Sequence, residues 1–418
     1  MHILFLSDNS PPEVNAPASR TFEHCREWVA AGHEVTVLTC APNFPRGKVF
    51  PGYRNRLWQK EEVSGITVIR VWSYITANEG FARRIADYVS YMVSAILAAP
   101  FVRKADVVVG TSPQFFTAVA AYIVSRAKRI PFVFELRDLW PESIRAVGAI
   151  KHPATLDWLE KLELFLYRRS DLIVSVTWSF RDDLQRRGID PSKVAIVTNG
   201  IDISRFHPIP KDLALVEKHR LQGKFVAGYI GTHGLAHGLG TILDAAAALK
   251  REPNGDRFRL LLLGDGASKE ALVKRATEDR LDNVIFVDTV SKDEVVRYWS
   301  ILDASIIHLK RTNLFRSVIP SKLFECMGMG IPILHGVEGE SAGIVEREHV
   351  GITFEPENAG ELCRLLVELE HNHALREKMA ANGPPASKRY DRRDLALAML
   401  GHLESVVKRK PRSGKIDN

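Results

Sequence analysis

The chain has 418 residues, of which 45% are hydrophobic and 26% are charged, and its formal net charge is +7. This composition is typical of a globular protein, and the length suits two domains rather than one. A positive charge fits an anionic membrane or a phosphorylated substrate. Nucleic acid is excluded as a partner, because the basic residues are spread out and form no known nucleic-acid-binding motif.

The N-terminal sequence lacks a basic segment followed by a long apolar run, so we expect no signal peptide. The four cysteines are widely separated at Cys25, Cys40, Cys326 and Cys363. No two of them have the spacing of a zinc site or a redox motif, so we expect reduced thiols.

Short β-branched-rich runs alternate with amphipathic stretches through the first half of the chain. The predicted strands are 1–8, 33–40, 66–72, 105–112, 131–138, 171–177 and 193–200. The predicted helices are 17–31, 80–103, 114–128, 153–169 and 178–187. Apolar runs alternating with helices indicate a parallel sheet covered on both faces. We therefore predict a doubly wound α/β domain over residues 1–200.

The same alternation restarts in the second half. The predicted strands are 224–232, 257–266, 283–290, 304–309 and 331–336, and the predicted helices are 239–250, 268–279, 291–301, 321–329 and 358–369. This predicts a second doubly wound domain over 223–385, with 201–222 as a linker. Residues 386–408 are expected to form a helix that returns to the first domain, and 409–418 a basic tail. Parallel sheets bind ligands beyond their strands' carboxyl ends, so two such domains facing a cleft suit a reaction between two substrates.

The segment 79–104 is apolar and aromatic, with basic residues at its ends. Its uncharged part, Tyr88 to Val102, is too short to span a bilayer and contains Pro100. Two interpretations stay open: a helix of the core, or an amphipathic surface that faces a membrane.

Glycine-rich turns follow two predicted strands of the second half. The first, GTHGLAHGLG (231–240), leads into a helix and leaves backbone N–H groups free, which is typical of an anion cradle, although a plain strand–helix turn is the alternative. The second is the turn at Gly264–Gly266. After the next strand, Ser291 and Glu294 have the spacing of a capping box, and a nucleobase could lie against the backbone at 288–290.

The stretch IPSKLFECMGMGIPIL (319–334) predicts a helix with Ser321 as its N-cap. The N–H groups of Lys322 and Leu323 would then be free to meet a phosphate, and Lys322 adds a positive charge. Glu325 falls on the first turn. Ligand binding is one interpretation of this acid, and its attraction to the helix dipole is the other.

This stretch resembles the E-A-M-A-x-G-x-P motif of the donor site in family 4 glycosyltransferases, the retaining enzymes of GT-B fold. Stretches at 8–20, 111–126, 135–143 and 198–206 resemble further motifs of that family in the same order. The resemblance covers about residues 1–400. Within the family, RDLWPES and PSKLFE are similar to bacterial enzymes that add sugars such as N-acetylfucosamine to lipid-linked precursors of surface polysaccharides.

The resemblance implies roles for individual residues. Glu325 would bind the ribose hydroxyls of a nucleotide sugar, which we expect to be UDP-linked and to carry an N-acetylated deoxyhexosamine. The other implied donor contacts are Ser321, Lys322, Leu323, Gly231, Thr232, His237, Gly264 and Val290, with Val14, Asn15 and Ala16 of the first loop.

Several positions depart from the family's pattern. Ser317 stands where the family has its first acid, and Thr232 and His237 replace the usual Arg and Lys of the phosphate loop. Asn15-Ala16 replaces a Gly-Gly pair, and Arg137 replaces a His of the acceptor loop. These changes leave the identity of the sugar open.

The implied reaction develops negative charge on the departing diphosphate, which helix N-termini and Lys322 would stabilise. The sequence contains no D-x-D, so no catalytic metal or cofactor is expected. Retention without a nucleophile suggests front-face attack, with the leaving phosphate accepting the acceptor's proton. Arg137 and Asp138 are candidates for orienting the acceptor, with Asp138 as a structural acid the alternative, and Glu13 is a weaker candidate.

The expected acceptor is a lipid-linked saccharide of O-antigen, capsule or exopolysaccharide synthesis, which would place the protein on the cytoplasmic face of the membrane as a peripheral protein. Two other functions stay open. One is a sugar-nucleotide epimerase of the same fold, and the other is a catalytically silent nucleotide-sugar-binding protein.

Overall fold

The computed structural model describes residues 1–13, 15–44, 47–76, 81–140 and 153–409. The chain divides into two compact units, one comprising Met1–Asn199 with Arg392–Asn418 and the other Gly200–Asp391. Each unit is built on its own sheet, and nearly all strand pairs are parallel. The predicted class, two α/β domains with parallel sheets, is confirmed.

The first unit has an eight-stranded sheet in the order β3-β4-β2-β1-β5-β6-β7-β8. Its strands are β1 His2–Leu6, β2 Glu34–Cys40, β3 Trp58–Val63, β4 Ile66–Val71, β5 Val107–Thr111, β6 Phe132–Leu136, β7 Leu172–Ser175 and β8 Val194–Ile196. The helices that this unit contains before residue 200 are α1 Ala16–Ala30, α2 Phe81–Ala98, α3 Phe115–Lys128, α4 Pro153–Arg169 and α5 Trp178–Arg186. The central strands β1, β5 and β6 are buried along their whole length, as strands covered by helices on both faces must be.

The edge strand β3 was not among the predicted strands. Its sequence WQKEEV is mostly polar, and its residues alternate between exposed and half-buried. It pairs antiparallel with β4 through the turn at Ser64-Gly65. An edge strand with one solvated side carries only a weak hydrophobic signal, which is why the apolar runs did not reveal it.

The second unit has a six-stranded, all-parallel sheet in the order β11-β10-β9-β12-β13-β14. Its strands are β9 Phe225–Ile230, β10 Phe258–Leu263, β11 Val284–Val287, β12 Ala304–His308, β13 Ile333–Gly336 and β14 Gly351–Thr353. Its helices are α6 Leu213–Lys218, α7 Gly240–Leu249, α8 Lys269–Glu278, α9 Lys292–Ser300, α10 Lys322–Met329, α11 Glu340–Glu348, α12 Ala359–His371 and α13 His373–Ser387.

The segment 201–222, predicted as a linker, is part of the second unit. Ile201, Phe206, Leu215 and Leu221 are buried in that unit's core, and α6 lies within the segment. These apolar residues have no regular spacing, so the sequence pattern did not show that they pack.

The last helix, α14 (Arg392–Arg409), belongs to the first unit. The indole N–H of Trp28 on α1 donates a 2.8 Å hydrogen bond to the Ala396 carbonyl, and Met399 and Leu403 join the same buried cluster. Residues 410–418 of the predicted basic tail lie outside the described residues.

Helix α2 packs one side into the core of the first unit and exposes the other. Tyr91 and Ala95 are buried, and the Tyr91 hydroxyl donates to the Leu38 carbonyl at 2.7 Å. Val93 and Leu97 on the other side are exposed. Over the described ranges, the chain has no helix that is both long and apolar enough to cross a bilayer.

Candidate active site

Two glycine turns lie against each other at the carboxyl ends of β9 and β10. The Gly231 N–H donates to the Leu263 carbonyl at 2.9 Å. A Cβ atom on Gly264, whose φ is +144°, would lie 1.9 Å from the Gly231 carbonyl oxygen. The contact therefore requires glycine at 264, and the backbones of the two turns pack directly against each other. The turn N–H groups at these glycines are not free, because the Gly264 N–H also donates, to the Val287 carbonyl at 3.0 Å.

The side chain of Lys322 reaches the first of these turns from the start of α10. Its ammonium lies 3.7 Å from the centroid of the Tyr229 ring. A Cβ atom on Gly231 would lie 2.6 Å from the Lys322 Nζ, so the missing side chain of Gly231 makes room for the ammonium. Residues almost a hundred positions apart in the chain thus build one cationic surface.

The start of α10 differs from the prediction in two ways. Ser321 occupies the N-cap position, but its backbone is helical and its side chain makes no capping hydrogen bond. The Leu323 N–H is not free, because it donates to the Pro320 carbonyl at 3.0 Å. The chain turns tightly before α10, and this turn provides the acceptor for the Leu323 N–H. The N–H groups of Ser321 and Lys322 have no partner within the described part of the chain.

Lys322 is half-buried, and burial lowers the pKa of its ammonium to about 7, although the nearby Glu325 opposes the shift. Among the residues that the structure describes, no carboxylate lies within ion-pair distance of it. A half-buried ammonium without a counterion is poised to receive an anion, because an incoming negative charge restores the stability lost on desolvation.

Glu325 lies on the first turn of α10, as predicted, and is half-buried. Burial raises the pKa of its carboxyl to about 7, while Lys322 and Lys292 oppose the rise. The indole N–H of Trp299 lies nearby and also lowers this pKa, although it forms no hydrogen bond of normal geometry among the described residues. An incompletely solvated carboxyl at this position is suited to accept hydrogen bonds from ligand hydroxyls.

Thr232 and His237 stand where related enzymes have an Arg and a Lys that bind phosphate, but neither side chain carries a positive charge here. Thr232 is exposed, and its carbonyl accepts a hydrogen bond from the Tyr229 hydroxyl at 2.8 Å. Burial lowers the pKa of His237 to about 3, with Lys322 adding to the shift, so the imidazole is neutral. Lys322 therefore supplies a cation beside Gly231 that neither predicted replacement provides.

His233, which the sequence suggested as a possible further hydrogen-bond donor of the first turn, and Lys269, which it did not suggest, also belong to the two turns. His233 is fully buried, neither of its ring nitrogens has a partner among the described residues, and burial lowers its pKa to about 4. The Lys269 ammonium donates to the Gly264 carbonyl at 2.8 Å and pairs with Asp288. The signal for Lys269 was its position as the first helical residue after the second glycine turn.

The remaining donor-side residues have defined places. Val290 is half-buried and packs on the core of the second unit. Ser291 and Glu294 form the predicted capping box. Ser317 ends a 3₁₀ turn, and its hydroxyl donates to the Leu314 carbonyl at 2.7 Å. The side chain at 317 thus closes a turn.

In the first unit, Glu13 is buried and holds loops together. Its carboxylate accepts the N–H groups of Asn43 and Phe44 at 2.8 Å each, and that of Ser10 at 3.2 Å. Burial raises its pKa, while these backbone bonds oppose the rise. This arrangement favours a structural role over the catalytic role considered from the sequence.

Arg137 and Asp138 follow β6 at its carboxyl end. Both backbone N–H groups donate to the Ser112 hydroxyl, at 2.8 and 3.2 Å. The Arg137 guanidinium makes one 3.4 Å contact with the Pro17 carbonyl, and its Nε has no partner within the described residues. Burial lowers its pKa to about 10. Asp138 is half-buried. Residues 141–143 of the same predicted motif lie outside the described residues.

Asn15 and Ala16 begin α1 beside Arg137. The Asn15 side chain caps the helix by accepting the Ala18 N–H at 2.9 Å, and its own amide nitrogen is buried without a partner among the described residues. Val14, named with them, is outside the described ranges. The first unit thus brings Arg137 and the start of α1 together through the Pro17 contact.

Two family descriptions match almost the whole chain. Residues 15–200 match the glycosyl transferase 4-like domain, and residues 214–385 match the glycosyl transferases group 1 domain. The chain belongs to this glycosyltransferase family. The resemblance found in the motifs is confirmed.

Curated relatives of this glycosyltransferase include WcaI of Escherichia coli (strain K12), whose name assigns it to glycosyl transfer in colanic acid biosynthesis. It is 25% identical over 339 residues, which is 79% of this chain and 82% of that protein. WcaL of the same strain is 26% identical over 46% of each chain.

Solved structures show the same fold at low sequence identity. Sucrose-phosphate synthase from Thermosynechococcus elongatus has a TM-score of 0.77 at 14% identity, covering 98% of this chain and 99% of that chain. Anabaena HepE in complex with UDP-glucose has a TM-score of 0.71 at 16% identity, covering 97% and 100%. The lipopolysaccharide glycosyltransferase WaaG has a TM-score of 0.72 at 16% identity, covering 96% and 99%. The GT-B fold of the glycosyltransferase is thereby shown.

Proposed function

We propose that this glycosyltransferase moves a sugar, with retention, from a UDP-linked donor to a lipid-linked saccharide during synthesis of a surface polysaccharide. The observation that carries the proposal is the surface formed by Gly231, Gly264 and the Lys322 ammonium. It combines two closely packed glycine turns with a half-buried cation that has no anionic partner among the described residues, beside the unpaired N–H groups of Ser321 and Lys322. A diphosphate supplies the anion that this surface lacks.

The comparisons support the finer parts of the proposal. HepE has been solved with UDP and with UDP-glucose, which favours a uridine nucleotide in the related site of this chain. WcaI and WaaG are named for colanic acid and lipopolysaccharide synthesis, which favours a surface polysaccharide as the product. The motif resemblance adds an N-acetylated deoxyhexosamine as the preferred sugar.

The proposed mechanism rests on charge. Breaking the bond between the anomeric carbon and the diphosphate leaves negative charge on the phosphate oxygens. Lys322 and the N–H groups of Ser321 and Lys322 stabilise that charge, and they are fixed before the reaction begins. Glu325 holds the ribose. The departing phosphate accepts the proton of the attacking hydroxyl, and no metal is required.

The first unit binds the acceptor in this proposal. Arg137 presents a half-buried guanidinium with unused donors at the carboxyl end of β6, beside Asp138. This arrangement suits hydroxyl or phosphate oxygens of a lipid-linked saccharide. A lipid-linked acceptor requires the enzyme to work at a membrane surface, so we propose peripheral association with the cytoplasmic face.

The decisive experiment incubates purified protein with a panel of UDP-, GDP- and TDP-sugars and a polyprenyl-diphosphate saccharide. We expect a glycosylated lipid from a UDP-sugar, with unchanged yield after chelation of divalent metals. Epimerised free sugar nucleotide without lipid product would support the epimerase instead. Binding without any turnover would support the silent binding protein.

A variant pair tests the placement of the donor. Glu325→Ala is expected to weaken UDP-sugar binding by about tenfold or more, because buried hydrogen bonds to a charged group are worth about 1.5–3 kcal/mol. Ser291→Ala is the matched control, because it removes a helix cap at the start of α9 and no proposed donor contact. Equal affinity of Glu325→Ala and the parent protein would show that the ribose binds elsewhere.

A further inference from the structure

Three large apolar side chains of the first unit are strongly exposed, and a fourth, Trp58, is 39% exposed. Leu57 is 82% exposed, Leu97 is 68% exposed and Phe101 is 79% exposed. Trp58 joins them, with its ring 6.3 Å from that of Phe101 in an edge-to-face arrangement. These residues come from the start of edge strand β3 and from the end of α2, and together we call them the apolar tip.

The apolar tip continues an exposed stripe along α2. Val93, Leu97 and Phe101 follow one another at four-residue intervals, which places them along one side of the helix and its 3₁₀ extension. The opposite side of the helix carries the buried Tyr91 and Ala95. The exposed residues are therefore not needed to fix α2 on the sheet, which leaves them available for a surface contact.

Exposed basic residues lie next to the apolar tip in the sequence. Arg54, Arg56 and Lys60 flank Leu57 and Trp58, and Arg103 and Lys104 follow Phe101. Arg103 forms a 2.6 Å ion pair with Glu34, but both side chains are largely exposed, so the pair is weak and easily exchanged. The exposed charged residues next to the apolar tip in the sequence are therefore mainly basic, with Glu62 of β3 and Glu34, the partner of Arg103, the exposed acids near them.

We propose that the apolar tip and its flanking cations dock the first unit on an anionic lipid bilayer. Apolar side chains enter the boundary between headgroups and acyl chains, while Lys and Arg bind lipid phosphates. A second copy of the chain fits this surface less well, because self-association would bring the two sets of cations against each other. The inference rests on the proposed function in one respect, since a lipid-linked acceptor lies in such a bilayer.

The test is flotation of the full-length protein with vesicles of phosphatidylcholine alone or mixed with phosphatidylglycerol. We expect binding to the mixed vesicles that weakens as salt is added, and little binding to phosphatidylcholine alone. The double variant Trp58→Ala/Phe101→Ala is expected to lower the partition coefficient by about tenfold or more, given the apolar area that the two rings bury.

Two controls isolate the apolar tip. Trp158→Ala removes another indole of the first unit, which is 57% exposed on α4, and should leave vesicle binding unchanged. Deletion of residues 410–418 removes the basic tail and should retain most of the binding. Loss of binding on deletion of the tail alone, or equal binding by the double variant and the parent protein, would overturn the proposal.

Two further outcomes contradict the proposed occupant. Equal binding to neutral and anionic vesicles would show that the cations do not contribute. A dimer in solution that the double variant converts to a monomer would assign the surface to a second copy.

UDP-sugar binding by the double variant is measured in parallel and should match that of the parent protein. Failure of glycosyl transfer with intact vesicle binding would contradict the proposed reaction but not the docking surface.

Discussion

The ammonium of Lys322 lies 3.7 Å from the centroid of the Tyr229 ring. Tyr229 is fully buried, and its hydroxyl is fixed by a 2.8 Å hydrogen bond to the Thr232 carbonyl. The ring therefore holds a cation at the glycine turn without neutralising it, which an acid in the same place would do.

Tyr229 is accordingly expected to position Lys322 for the donor. Tyr229→Leu removes the aromatic face and should raise the KM for the UDP-sugar by about thirtyfold, since a desolvated cation–π contact is worth about 2 kcal/mol. Tyr229→Phe keeps the face and should stay within about threefold of the parent KM, with a stability loss near 1 kcal/mol from the missing hydrogen bond. Similar donor KM values for the two variants would contradict the positioning role.

The two glycine turns should respond differently to alanine. In Gly231→Ala the new Cβ meets the flexible end of Lys322 and the φ of +149° strains the backbone, so we expect a folded protein that is about 1 kcal/mol less stable and binds the donor about tenfold more weakly. In Gly264→Ala the Cβ meets backbone at 1.9 Å, so the free energy of unfolding should fall by about 3 kcal/mol. Thermal denaturation and donor titration separate the two effects, and a stable Gly264→Ala protein would show that the turns do not pack as described.

Donor binding should depend on pH through Lys322. Its pKa is lowered to about 7 in the free protein, so the ammonium is present below that pH and is lost as the pH rises. Affinity for the UDP-sugar should then fall by up to about tenfold per pH unit above 7. Lys322→Arg keeps its charge throughout, so it should lose the part of the pH dependence that comes from Lys322 and keep only the part that comes from Glu325, whose pKa is also raised to about 7. A parent protein with no pH dependence in this range would contradict this account. The nucleotide sugar is used as ligand because, unlike UDP, it has no phosphate that titrates near neutral pH.

Substitutions at Glu13 and Arg137 are expected to change different properties: the stability of the fold for Glu13, and acceptor binding for Arg137. Glu13→Gln places an amide NH₂ opposite a backbone N–H, so stability should fall by about 1–3 kcal/mol while the folded enzyme stays active. Arg137→Gln should raise the acceptor KM more than the donor KM, because its guanidinium is proposed to bind the acceptor at the carboxyl end of β6. If Glu13→Gln lost activity but kept its stability, the result would support a catalytic role for Glu13.

Asp8 and Asp87 should make the fold less stable as the pH rises. Burial raises the pKa of Asp8 to about 8 and that of Asp87 to about 7, and the neighbouring acids add to both shifts. Folded-state pKa values above the unfolded ones mean that the folded protein binds more protons, so stability is highest below about pH 4 for these groups and is lost up to about pH 8. Asp87→Asn should raise stability at pH 8 by on the order of 1–2 kcal/mol and change it less at pH 5. Parallel stability curves for the two proteins would contradict the shift.

Sequence patterns alone predicted the two parallel sheets, the glycine turns and the helix that carries Lys322 and Glu325. Each of these features is local. The repeat of apolar residues that marks a strand or a helix lies within one short stretch of sequence, and Gly231 and Gly264 directly follow strands. The motif order predicted the family for the same reason, because it lies in short stretches whose residues are contiguous.

The tertiary structure decided which of the candidate residues carry charge and which are structural. Tyr229 and Lys322 are almost a hundred residues apart, and only the packing of α10 beside β9 brings ring and ammonium together. Glu13 accepts three backbone N–H groups, from Ser10 and from the loop at Asn43 and Phe44, a convergence that its local sequence does not reveal. The apolar tip joins Trp58 and Phe101 from separate elements, so no local period reveals it. Local periodicity encodes the elements, whereas the pKa values and partners of side chains depend on contacts that form only when the chain folds.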